Sequence, residues 1–110
     1  MNNLLIKNIP EFDRPRERFK KYGVENLSNN ELISIILSSG TKNISVKELS
    51  SNILGKLDDI SDLKDMTLNK LKQTKGIGEV KAITLLSALE LGKRVYYEKN
   101  ISKIKMNLPN

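Results

Sequence analysis

A chain of 110 residues, 38% apolar and 29% charged, is long enough to bury one modest core and too short for two. With no cysteine and no histidine, it can form neither a disulfide, nor a metal site with thiolate or imidazole ligands, nor a histidine-based catalytic triad. Its net charge of +6 suits polyanionic partners, and no apolar run approaches the roughly 20 residues of a bilayer span.

Residues 1–13 read as an extended arm, because Leu4, Leu5, Ile6 and Ile9 are too few and too close to Pro10 for a stable helix. The first ten residues also lack the charged start and long apolar segment of a secretion signal, so a cytoplasmic location is the default expectation. Asp13, followed by Arg14 and Pro15, looks like a cap with proline in the first turn, opening a helix to about Tyr22 that Gly23 ends. Ser28 and Glu31 form a capping-box pair. The helix behind them carries Leu32, Ile33, Ile35, Ile36 and Leu37, apolar almost all round, and is expected to be the buried centre. Gly40 suits its C-terminal cap.

Ser45 and Glu48 repeat the capping signature, and Val46, Leu49, Ile53, Leu54 and Leu57 then fall on one apolar stripe, as in a surface helix packed on one face. Short helical pieces near Asp62–Met66 and Leu68–Gln73, the second capped by Thr67, lead to a Gly-Ile-Gly turn at residues 74–79. The last long helix runs from about Glu79 to Val95, with Ala82, Ile83, Leu85, Leu86, Leu89 and Leu91 apolar. From Tyr96 the pattern breaks, and residues 96–110 read as a linker. No strand pattern is convincing. The fold class is all-α, a compact bundle of about five helices.

The turn carries most of the functional information. Two glycines around one apolar residue let the backbone turn sharply and approach a ligand closely. The turn feeds straight into a helix, whose first amides lack intrahelical partners and sit at the positive end of the helix dipole, where a phosphate fits. The candidate nucleic-acid-binding residues are therefore Lys75, Gly76, Ile77, Gly78, Glu79, Val80 and Lys81. Ile77 acts as an apolar plug beneath the glycines, and Lys75 and Lys81 flank the turn, either as supplementary phosphate contacts or as solvated cations. Glu79 stabilises the helix start through the dipole while occupying the field a phosphate would use. The competing reading is a plain corner between two helices. Arg14, Arg18 and Lys21 share a face of the first helix, with Glu17 placed to pair with Lys21.

Arg14-Pro15-Arg16-Glu17, Tyr22-Gly23, Leu27-Ser28 with Glu31-Leu32, Gly40-Thr41-Lys42, Lys75-Gly76-Ile77-Gly78 with Lys81-Ala82, and Ala88-Leu89-Glu90-Leu91-Gly92-Lys93-Arg94 resemble, in that order, the N-terminal domain of RadC-type bacterial proteins. The resemblance covers nearly all of residues 6–95. It implies that the turn is a helix-hairpin-helix motif within a helical domain at residues 14–95, gripping DNA weakly through its backbone and without sequence preference. The traditional label of that family is DNA repair. The resemblance further implies that residues 96–110 lead to a JAB/MPN-type metal-binding domain, which would be a second partner. That domain's ligands include histidines, so the resemblance implies no catalytic residue, metal or cofactor within these 110 residues. The alternative function is a protein-interaction or regulatory module for that metal-dependent domain. Glycosylases of the endonuclease III type share the hairpin, but their lysine nucleophile falls at the position of Val80, which cannot form a Schiff base.

Overall fold

The helices of this chain start at local signals, and most of them are serine, threonine or proline. A computed structural model describes residues 14–107, with side-chain environments for residues 14–98. Helix α1 (Pro15–Tyr22) has proline at its first position, where the helix has no bond for the missing N–H to make, and Gly23 ends it at a φ of 88°. Its N-cap is Arg14, which makes no side-chain cap; the expected Asp13 and the expected arm at residues 1–13 lie outside the described residues. A 3-10 turn at Val24–Asn26 leads to α2 (Asn29–Leu37). The box at its start is complete: the Glu31 amide donates to Ser28 Oγ at 3.1 Å and the Ser28 amide donates to Glu31 Oε1 at 3.0 Å.

Helix α3 (Val46–Leu54) forms only the serine half of its box, the Glu48 amide donating to Ser45 Oγ at 3.1 Å, while Glu48 Oε2 is buried without a partner. A 3-10 turn at Ile60–Asp65, capped by Asp59, is followed by α4 (Leu68–Lys72), which Thr67 caps through the Lys70 amide at 3.2 Å. Helix α5 (Glu79–Asn107) closes the order. Among the described residues there are only helices and turns, with no strand, so the all-α expectation holds. None of the helices is long and apolar enough to cross a membrane.

The buried centre is α3 rather than α2. Leu49 and Ile53 are fully buried and Val46 nearly so, and around them pack Ile33 and Leu37 of α2, Leu71 of α4, and Ala82 and Leu85 of α5. On α2, Leu32 and Ile35 are only half-buried and Ile36 is exposed. Part of the α2–α3 contact is made by small polar residues. Ser34 and Ser50 share a buried hydroxyl bond of 2.9 Å, Ser50 Oγ also donates to the Val46 carbonyl, and Asn30 Nδ2 donates to the Lys47 carbonyl and to Ser51 Oγ. These polar residues occupy the α2–α3 contact alongside Ile33 and Leu37, while Leu32, Ile35 and Ile36 stay outside the core cluster. Helix α5 also runs past the expected end at Val95. Nothing in the sequence between Val95 and Asn107 breaks a helix, and the first proline beyond is Pro109.

Candidate nucleic-acid interface

Residues 73–78 join α4 to α5, and the turn is held from its buried side. Thr74 is buried; its hydroxyl donates to the Lys70 carbonyl at 3.3 Å and its own carbonyl accepts the Ile77 amide at 3.0 Å. The Ile77 side chain sits in the core as the expected plug. Gly76 has a φ of 84°, and a Cβ there would lie 2.3 Å from Leu49 Cδ2 and 3.0 Å from Ile44 Cδ1. The fold itself therefore demands glycine at this position. Gly78 is different: a Cβ there would meet nothing within 4 Å. From α3, Asn52 Nδ2 donates to the Lys75 carbonyl at 3.1 Å and braces the outer side of the turn.

The first bond of the α5 ladder runs from the Ala82 amide to the Gly78 carbonyl at 3.0 Å. The amides of Glu79, Val80 and Lys81 thus precede the ladder, at the positive end of a 29-residue helix. Gly78, Glu79 and Val80 are exposed, as is Lys75. Of the seven expected residues, the structure gathers Lys75, Gly78, Glu79 and Val80 on an accessible edge, while Gly76 and Ile77 support them from within.

Lys81 points elsewhere. Its ammonium donates to the carbonyl of Leu37, at 3.3 Å, and to that of Ser39. There α2 ends in a tight three-residue turn: Ser38 has φ 74° and ψ −53°, and the Ser39 amide donates to the Leu37 carbonyl at 2.9 Å. Arg16 Nη2 donates to Ser38 Oγ at 3.3 Å from the other side, so two cations meet the negative end of α2. The C-cap of α2 is thus Ser38 and not the expected Gly40. Gly40 lies against the backbone of residues 44–46, where a Cβ would come within 2.1 Å of the Ile44 carbonyl oxygen.

The cations of α1 are largely engaged within the fold. Arg18 donates to Glu31 Oε2 at 2.6 Å and lies over the Tyr22 ring, as does Lys21. Glu17 pairs with Lys20 at 3.0 Å, instead of the expected Lys21. Burial pushes the Glu31 carboxyl up, but the Ser28 amide and the Arg18 guanidinium together outweigh it and hold the group below the usual carboxylate range. Asn52, Arg16 and Ser38 shape the site with no local signal in the sequence, since each acts on a partner at least 22 residues away.

The fold and this edge define a small helical domain with a glycine hairpin exposed at the head of its longest helix. Residues 6–83 match the family described as UPF0758 N-terminal, and the chain belongs to that family. It is 38% identical over 106 residues to a UPF0758 protein of Bacillus pumilus (strain SAFR-032), a match covering 96% of this chain and 47% of that protein. UPF0758 proteins of Clostridium botulinum strains Hall and Okra are 52% identical over 40 residues, 36% of this chain and 18% of theirs. The chain spans about half the length of the Bacillus relative. No solved structure matches it.

Proposed function

We propose that this domain is a non-catalytic holder of DNA backbone, serving a longer RadC-like protein. The observation that carries the reading is the exposed start of α5, where amides ahead of the first helical bond stand beside Gly78, a residue with open space in place of a side chain. A phosphate reaching that edge would accept from the Glu79 and Val80 amides and gain the field of Lys75. Lys81 contributes by position: its grip on the end of α2 fixes the first turn of α5. Because the contacts go to phosphate, binding is independent of base sequence.

Glu79 limits affinity by placing a carboxylate in the same first turn, which keeps the interaction weak. The test is a fluorescence-anisotropy titration with a labelled duplex over a salt series. Neutralising two or three phosphates gives a log–log slope of about −2 to −3. Binding with no salt dependence, or none at low salt, would remove the phosphate mechanism.

A further inference from the structure

The turn that ends α2 gathers more hydrogen-bond donors than the fold consumes. Ser38 is held at φ 74° and ψ −53°, a conformation that residues other than glycine adopt at a cost and that concentrates at functional sites. The Lys81 ammonium spends two N–H groups on the Leu37 and Ser39 carbonyls, on either side of Ser38, and keeps a third. Arg16 spends one N–H on Ser38 Oγ and keeps the rest of its fork, while the Ser38 hydroxyl keeps its own proton. The acidic neighbours are already taken. Glu17 pairs with Lys20 and Glu31 with Arg18, and among the described residues neither Arg16 nor Lys81 has a carboxylate partner. The end of α2 contributes only about half a negative charge against two whole positive ones. Beside the turn opens a recess of about 220 Å³ with Arg16, Ile35 and Ser38 in its wall. The hollow is positive and rich in donors, as an anion requires.

We infer that the Ser38 turn holds a second phosphodiester of the duplex whose backbone meets the start of α5; the inference rests on that reading of α5 and adds a point of contact to it. Lys81 joins the two points, since it lies in the first turn of α5 and its ammonium sits at the end of α2. The phosphate accepts from the exposed Arg16 guanidinium and from the Ser38 hydroxyl, with the Lys81 charge behind the turn. A guanidinium suits this role because its planar fork meets two phosphate oxygens at once. Two contacts on separate helices also fix the direction in which the backbone crosses the domain, which a single contact leaves open.

Duplex titration over a salt series, read by anisotropy and by chemical-shift mapping of backbone amides and arginine Nε groups, tests this. Arg16→Gln weakens binding about fivefold and makes the log–log salt slope shallower by about one, whereas Arg16→Lys keeps the slope. Lys21→Gln removes the same charge from another exposed position on α1 and leaves the slope as it was. Ser38→Asp sets a carboxylate among the donors as an internal competitor and weakens binding about tenfold; aspartate tolerates a positive φ, so the melting curve does not fall. In the wild type, residues 37–39 and Arg16 Nε shift in step with Gly78, Glu79 and Val80. Wild-type affinity and slope in Arg16→Gln, with the hairpin amides still shifting, would overturn the inference and leave the α5 reading standing. An equal slope change from Lys21→Gln would also overturn it, by reducing the turn to general surface charge. Shifts at residues 37–39 with none at residues 78–80 would overturn the α5 reading and the two-point contact with it.

Discussion

Replacing Gly76 with alanine separates the fold from the site more sharply than any change of charge. Its φ of 84° puts a non-glycine residue in the left-handed region, at about 1–2 kcal/mol. The new methyl would also stand 2.3 Å from Cδ2 of the wholly buried Leu49, which would have to repack, so overpacking adds about 1–3 kcal/mol. A stiffer unfolded chain returns about 0.4–1 kcal/mol. The net loss is about 1–4.5 kcal/mol, or a fall in melting temperature of roughly 4–18 °C at about 4 °C per kcal/mol for a domain of this size. Gly78→Ala meets no atom within 4 Å and loses only part of an N-cap preference, about 1 kcal/mol at most. Urea and thermal unfolding followed by circular dichroism measure both variants, and duplex titration of the folded Gly78→Ala protein shows about a tenfold weakening, since its methyl stands where a phosphate approaches. A Gly76→Ala protein as stable as the wild type would refute the packing argument.

Three further outcomes follow from the same geometry. Glu79→Gln strengthens duplex binding in anisotropy and lowers stability by about 0.3–1 kcal/mol, because it removes both a competing carboxylate and a favourable dipole partner. Lys81→Gln lowers stability by about 1 kcal/mol, since its ammonium caps the end of α2, whereas Lys75→Gln leaves unfolding unchanged and reduces the salt slope by about one. The lowered pKa of Glu31 means that its contribution to stability is full above the ordinary glutamate value of 4.5 and is lost as pH falls through the depressed folded value; Glu31→Gln flattens that acid limb in pH-dependent urea unfolding.

Some of the local signals hold in the structure, whereas the Gly40 cap, the Glu17–Lys21 pair and the glutamate half of the Ser45–Glu48 box do not. The Ser28–Glu31 box, the stop at Gly23 and the Thr67 cap depend on residues within four positions of one another. The helical class followed from the same local signals. Reach across the chain was invisible. Ser38, with no glycine-like signature, takes a positive φ where Arg16 of α1 bonds its hydroxyl and Lys81 of α5 bonds the carbonyls of Leu37 and Ser39 on either side. The centre of the core is α3 and not α2, and the buried Ser34–Ser50 bond between those helices uses residues that score as polar. Past Val95 the core period ends while the helix does not, since periodicity reports a neighbour to pack against and not the backbone state. At the hairpin the glycine spacing announced a turn, yet only Leu49 and Ile44 distinguish Gly76, required by the fold, from Gly78, open to a ligand.

The central claim is that phosphate meets the exposed start of α5, and amide chemical-shift mapping during titration with a short duplex tests it most directly. The account predicts the largest shifts between Lys75 and Ala82, led by Gly78, Glu79 and Val80, and their reversal on adding salt. Largest shifts along α3 from Val46 onward, with the hairpin amides unmoved, would contradict it.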